Sequence, residues 1–261
     1  MPSISFDRAA SYYDATRAFP PGAAEQIAHS LASRLPAQSH LLEIGVGTGR
    51  IALPLMQTGL HLTGVDISIN MMAQLKKAHL KDRKGINLVL ADATSTPFTS
   101  GVFDGVVGVH VLHLISGWLQ ALQEARRVLK PGGHILLGGD GHPTDLPFHQ
   151  MRRQLWAYLG ARGFKETRYV SHDFAEVKAA LQVMGASSSE FIAAEWEETY
   201  TLAELLDLFE KRIWSSTWDV PDDLYAAGIR RLRRWAARKF ADLNEPQRIP
   251  GRFSWLDFSF P

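Results

Sequence analysis

Cysteine is absent from the 261 residues. That excludes disulfides, thiolate metal sites and cysteine-held iron–sulfur clusters. No apolar stretch is long enough to span a bilayer. The opening MPSISFDRAASYYDATRAF lacks the apolar core of a secretory signal. A soluble, cytoplasmic protein is therefore the expectation, with no membrane partner. Neither charge dominates: 28 Lys and Arg stand against 27 Asp and Glu, a net +1. Composition thus makes no case for a nucleic-acid partner. Repeats and low-complexity tracts are missing as well. What is present, 46% hydrophobic and 21% charged residues, suffices for one sizeable core, read as a single domain over residues 1–261 with insertions.

The most informative segment is Leu41–Arg50, LLEIGVGTGR. A short apolar run carries an acid, Glu43, and is followed by Gly45, Gly47 and Gly49; a helical pattern begins at Ile51. Strand, glycine loop and helix are the layout of a nucleotide site at the start of a doubly wound sheet. Glycines permit a sharp turn at positive φ, and a helix start offers unpaired N–H donors. The dinucleotide fingerprint G-x-G-x-x-G/A fails at its third position, where Arg50 stands. The phosphate-cradling loop fails too, because there is no Gly-Lys-Ser/Thr. The surviving pattern, E-x-G-x-G-x-G, suits a ligand without phosphates that has a carboxylate end and a cationic centre.

Further strands follow. HLTGVD (His61–Asp66) ends in an acid roughly twenty residues past the loop, where a carboxylate can accept bonds from both ribose hydroxyls. The other reading of Asp66 is a helix N-cap, which Ser68 can supply instead. INLVLAD ends in Asp92, which can accept a bond from an adenine amino group. VFDGVVGVHVLHLI is a fourth strand, and LKPGGHILLGGD reads as a helix end, a turn and a fifth strand. Helices are expected at about 22–35, 49–58, 68–80 and 117–129. This alternation predicts an α/β fold with a parallel sheet between helical layers.

LLEIGVGTGR, GVDIS, ADAT, FDGVVGVHVLHLI and VLKPGGHILL, in this order over residues 40–140, resemble a class I S-adenosylmethionine (SAM) dependent methyltransferase. Within that class the chain is similar to the small-molecule group that includes the ubiquinone/menaquinone-biosynthesis type. The resemblance implies a doubly wound, seven-stranded, mostly parallel sheet of order 3-2-1-4-5-7-6. It implies SAM as cofactor and S-adenosylhomocysteine as product. Its cofactor contacts would fall on Tyr13, Arg17, Glu43, Gly45, Val46, Gly47, Asp66, Ile67, Met71, Asp92, Ala93, Val109 and His110. FDRAASYYDATR resembles the helix that folds over the cofactor, so residues 1–21 are expected to be an N-terminal lid. Tyr12 and Tyr13 either touch the cofactor or anchor that helix; Arg17 either pairs with the SAM carboxylate or is a surface arginine. With no cysteine, radical SAM chemistry and cysteine-mediated pyrimidine methylation are excluded. His110-Val111-Leu112 replaces the Asn-Pro-Pro-Tyr-like run used on adenine and glutamine nitrogens, which disfavours those substrates.

Past Asp140, residues 151–164, 173–185, 201–216 and 219–240 read as helices, 187–201 and 251–260 as strands. Thr201 and Glu204 form a capping-box pattern. Segments 142–172 and 200–243 are expected as helical cap insertions over the active site. Arg230, Arg231, Arg233, Arg234, Arg238 and Lys239 read as a solvated face rather than an RNA surface. Trp156, Trp196, Trp214, Trp218 and Trp235 read mostly as packing in the cap, one or two lining an acceptor pocket. His110-x-x-His113 lacks companion acids or cysteines, so no metal is expected. If a general base assists, His110 is the first choice, at the end of the fourth strand; His113 and His142 are alternatives. The function expected is methyl transfer to an O, N or C nucleophile of a small molecule. The alternatives are a SAM-binding protein without transfer, cyclase-like or regulatory, or an RNA or protein methyltransferase.

Overall fold

The computed structural model describes residues 3–79, 86–141, 143, 145–166, 169–170 and 174–261. Its strands are β1 (His40–Ile44), β2 (His61–Asp66), β3 (Asn87–Leu90), β4 (Phe103–Val109), β5 (Leu129–Gly141), β6 (Ser187–Tyr200) and β7 (Gln247–Ser259). They form one seven-stranded sheet in the order β3-β2-β1-β4-β5-β7-β6, mostly parallel with one antiparallel hairpin. Parallel register runs through the centre: Ile44 pairs with Val65 of β2 and with Gly108 of β4. β1 and β4 are almost wholly buried along their length, as strands covered on both faces must be.

The helices are α1 (Tyr13–Arg17), α2 (Ala23–Ala32), α3 (Ala52–Gln57), α4 (Ile69–His79), α5 (Trp118–Val128), α6 (Pro147–Gly160), α7 (Ala175–Val183), α8 (Leu202–Glu210) and α9 (Asp222–Lys239). The chain divides into two compact units. The first comprises Met1–Asp140, Tyr169–Glu195 and Arg252–Pro261. In it, Leu42 and Ile44 of β1 join Val106 of β4 and Ile135 and Leu137 of β5 in a core with Ala121, Leu122 and Ala125 of α5 and Val177 and Leu181 of α7. Val46, Ala52, Met72 and Leu75 form a separate cluster that joins the glycine loop to α3 and α4. Each fully buried aliphatic chain contributes about 1.5–3 kcal/mol.

The second unit comprises Gly141–Arg168 and Trp196–Gly251. Met151, Leu155 and Leu159 of α6 pack with Leu202, Leu206 and Phe209 of α8 and with Ile229, Leu232 and Ala236 of α9. Thr201 and Glu204 form the reciprocal capping box read from the sequence. On α9, Leu232 and Ala236 face inward while Arg230, Arg231, Arg234, Arg238 and Lys239 are exposed. Arg233 pairs with Asp207 and Glu210. Trp156, Trp214 and Trp235 pack on this core.

Boundaries shift for local reasons. α6 begins at Pro147 rather than near Met151, because proline's fixed φ suits a first helical position. β5 runs through Pro131-Gly132, with a register break between Phe103 and Gly105 absorbing the turn. The first helix after the glycine loop starts only at Ala52, since positive φ persists to Gly49.

Candidate active site

The C-terminal ends of β1, β2, β3 and β4 carry the candidate site. Gly45, Gly47 and Gly49 have φ of +67°, +56° and +87°. At Gly45 the demand is steric as well as conformational. A Cβ there would lie 2.3 Å from Val111 Cγ2, so the loop passes directly against the residue after His110. Gly49 explains the unusual third position of the motif. Its missing Cβ leaves room for Leu75 of α4 (2.3 Å) and Leu53 (3.1 Å). Close packing therefore falls on Gly49, and Arg50 is free for another task. Its Nη1 donates to the Arg17 carbonyl at 2.7 Å, and its guanidinium lies over the Phe19 ring.

Asp66, ending β2, ties the loop to the next turn. Its Oδ2 accepts from the Gly47 amide and its Oδ1 from the Ser68 amide, both at 2.8 Å. Burial raises its pKa, against the downward pull of amide donors at Ser68, Gly47 and Ile67. Ser68 itself caps α4, its Oγ accepting from the Met71 amide at 3.1 Å. The cap role that competed for Asp66 is thus filled by its neighbour. The β3 end joins the same edge, as the Ala91 amide donates to the Asp66 carbonyl. Asp92 is exposed, with Oδ1 accepting from the Thr94 amide and hydroxyl at 2.9 and 2.8 Å. Ala93 and Met71 are buried, whereas Ile67 is 38% exposed.

Glu43 is 3% exposed, and its Oε2 has no hydrogen-bond partner. Burial pushes its carboxyl well above the usual carboxylate range; Arg50 pulls the other way and Asp66 adds to the rise. An orphaned carboxylate oxygen one residue from the glycine loop is an acceptor suited to a cationic donor. Val46 fills the space over Gly64, where a Cβ would approach to 2.7 Å.

The N-terminal segment is fastened across these loops. Asp7 Oδ1 accepts from Ser68 Oγ at 2.5 Å and from the Asn70 amide at 3.2 Å. The Thr48 hydroxyl donates to Asp14 Oδ1 at 2.5 Å, and the Ile4 amide to the Leu114 carbonyl. Tyr13 packs edge-on against Phe6. Burial lowers the Arg17 pKa; Tyr13 and Asp140 favour its charge and Arg50 opposes it. Rather than one helix over residues 1–21, this segment is a short 3₁₀ turn at Asp7–Ala9 followed by α1.

His110 follows Val109 at the end of β4 with φ of +52°. Its Nε2 lies 3.2 Å from Asp140 Oδ2. The pair is close but not aligned as a linear hydrogen bond, and Nε2 is shut off from solvent. His113 lies in the 3₁₀ turn Leu112–Leu114, and its carbonyl accepts from the Tyr169 amide. His142 falls outside the described residues. Asp7, Asp14 and Asp140 were not singled out from sequence. Asp140 had a signal: it closes β5, which neighbours β4 in the expected order. Asp7 and Asp14 had none beyond lying in the expected lid.

Among the described residues, no helix is long and apolar enough to cross a membrane. Residues 42–137 match the family described as methyltransferase domain. The demethylmenaquinone methyltransferase of Renibacterium salmoninarum is 33% identical over 114 residues, 44% of this chain and 46% of that protein. The chain thus spans about half the length of curated relatives of this kind. Among solved structures, a putative methyltransferase of Bacillus halodurans superposes with a TM-score of 0.58 at 16% identity, over 93% of this chain and 100% of that one. The [4+2]-cyclase SpnF reaches the same TM-score, 0.58, at 17% identity over 100% of this chain and 98% of its own. These likenesses establish the fold, and the pairing of a methyltransferase with a cyclase means that the fold alone does not name the reaction.

Proposed function

We propose that this chain, whose residues 42–137 match the family described as methyltransferase domain, is a class I SAM-dependent methyltransferase acting on a small molecule. The observation that carries the reading is the buried Glu43 carboxylate, whose Oε2 has no hydrogen-bond partner, beside three positive-φ glycines at the β1–β4 switch point. Such a site accepts an ammonium and leaves room for backbone to approach the ligand.

Glu43 takes the amino group of the methionyl end, and Arg17 its carboxylate. Gly45, Val46 and Gly47 line the ligand with backbone. Asp66 accepts from the ribose, while Ile67, Met71, Asp92 and Ala93 hold the adenine, and Val109 and His110 flank the methyl. When bound, SAM supplies a methyl on a sulfonium that departs as a neutral thioether. The chain's own contribution is therefore chiefly proximity and orientation, worth up to about 7–11 kcal/mol in favourable intramolecular cases. Residues 3–19 act as a lid that excludes water, fastened through Asp7 and Asp14. His110 serves as general base for an acceptor that arrives protonated. The helical segments within 142–172 and 200–243 select the acceptor; their aromatic content suits a small, largely apolar one.

The test is binding followed by turnover. SAM at 100-fold above Kd raises stability by about 2.7 kcal/mol, a clear thermal shift, and Asp66→Ala removes most of it. Chromatographic detection of S-adenosylhomocysteine with phenol, hydroquinone and amine acceptors separates transfer from mere binding. A melting point shifted by NADH and not by SAM would refute the cofactor. SAM binding with no S-adenosylhomocysteine formed across the panel would favour a non-transferring binder.

A further inference from the structure

The polar face of α5 carries an inference beyond the glycine loop. Residues 91–102, between β3 and β4, have no regular secondary structure and include Asp92 and Ala93. Two apolar side chains of this segment, Ala93 and Phe98, pack on the core of the first unit. Apolar packing is non-directional and leaves a segment free to slide. Thr96, between them and 9% exposed, is held by directional bonds instead. Its amide and hydroxyl both donate to Glu124 Oε1, at 2.8 and 2.6 Å. The Arg127 guanidinium forks onto the same carboxylate, Nε to Oε2 and Nη2 to Oε1, each at 2.7 Å. Its Nη2 also donates to the Phe98 carbonyl at 2.8 Å, and its Nη1 to Ser100 Oγ at 3.3 Å. One turn earlier, Gln120 Nε2 donates to the Thr94 carbonyl at 3.2 Å. Gln120, Glu124 and Arg127 share one face of the helix, because residues three or four apart are neighbours. Ala121, Leu122, Ala125 and Val128 fill its buried face. The Arg127 fork holds the Glu124 carboxyl down to about 2, so the clasp is ionised throughout the neutral range.

This face reaches Asp92 through Thr94. Asp92 Oδ1 accepts from the Thr94 amide and hydroxyl, which leaves Oδ2 for a ligand. We propose that Glu124, clasped by Arg127, is a positioning residue that sets the nucleobase specificity of the cofactor site. It holds residues 94–100 in one register along α5, and with them the place of Asp92 Oδ2. The inference rests on the reading above that Asp92 accepts from the adenine amino group. Glu124 acts on the ligand through Thr96, Thr94 and Asp92 in turn. A carboxylate oxygen in a fixed place favours adenine, which presents an amino donor there. It disfavours hypoxanthine, which presents a carbonyl oxygen at the same position. A carboxylate on a loosened segment can swing away from that carbonyl, so the discrimination fades.

The experiment is calorimetric affinity for S-adenosylhomocysteine and S-inosylhomocysteine, which differ in the nucleobase alone. Wild type should bind the adenine compound about tenfold more tightly or better, as a hydrogen bond to a charged acceptor provides. Asp92→Asn should level or reverse that preference, because its carboxamide can donate to the hypoxanthine carbonyl. Glu124→Gln keeps the side chain's shape but sets an amide donor against Arg127 or Thr96, which are donors themselves. It should weaken S-adenosylhomocysteine about fivefold, change S-inosylhomocysteine less, and bring the ratio to about twofold. Arg127→Lys keeps the charge and loses the fork. It should move the ratio the same way, and it decides the matter where Glu124→Gln melts below the assay temperature. Gln123→Ala, at an exposed position of the same helix, should leave the ratio as in wild type. A wild-type ratio in Glu124→Gln, whether both ligands weaken alike or neither does, overturns the proposal. The clasp then serves stability alone, and the methyltransferase reading stands. A wild type that binds both compounds equally refutes Asp92 as the adenine acceptor, and the proposal with it. A wild type that binds neither refutes the cofactor itself.

Discussion

Glu43→Gln should make the unliganded protein more stable at pH 8 than at pH 5, relative to wild type, while weakening cofactor binding. The side chain is isosteric and 3% exposed, so packing is nearly unchanged. Burial, reinforced by Asp66, raises the folded-state pKa of Glu43 well above the usual carboxylate range. A raised folded pKa means that the unfolded chain releases its proton first. The stability linked to this group is full below about pH 4.5 and falls as pH rises toward the folded pKa. Each unit of difference is about 1.4 kcal/mol. An unpartnered buried acceptor costs about 1–3 kcal/mol by independent reasoning. Glutamine has no proton to lose, so its advantage should grow with pH to about 1–3 kcal/mol. In a chain of this length that is about 2–4 °C per kcal/mol. Thermal melts of both proteins, without ligand, across pH 5–8 give the comparison. SAM affinity should drop about tenfold or more, because a charge-assisted hydrogen bond of about 1.5–3 kcal/mol is removed. A pH-independent difference in melting temperature would refute the claim that burial disfavours the charged form of Glu43.

Gly45→Ala should destabilise by about 2–4 kcal/mol, adding a left-handed alanine to overpacking against Val111. Val111→Ala should return the steric share in a double-mutant cycle by denaturant melts, and strict additivity would show that the contact is unimportant. Asp14→Ala removes the acceptor of the Thr48 hydroxyl. Amides of residues 6–19 should then exchange hydrogen faster in the free protein, with S-adenosylhomocysteine suppressing the difference; equal exchange in both proteins would show the lid to be held by packing alone.

The periodicities made the α/β alternation and its parallel sheet legible, while the strand order 3-2-1-4-5-7-6 rested on the family resemblance. The glycine loop was equally legible, because positive φ at Gly45, Gly47 and Gly49 admits few other residues. Thr201 and Glu204 were readable as a capping box for the same reason: the partners are three residues apart and the chemistry is local. The departure of Arg50 from the dinucleotide fingerprint is legible in the sequence. That Arg50 holds the Arg17 carbonyl depends on a contact 33 residues away. Asp7 and Asp14 look like ordinary helix-start acids in the sequence; only folding brings them to Ser68 and Thr48, 61 and 34 residues on. The strained φ of His110 and its pairing with Asp140 are likewise invisible in a string. Sequence determines what each residue can do locally, through backbone preference and period. Which carboxylate faces which donor is decided by strand order, because adjacency in a parallel sheet joins residues that the chain itself keeps far apart.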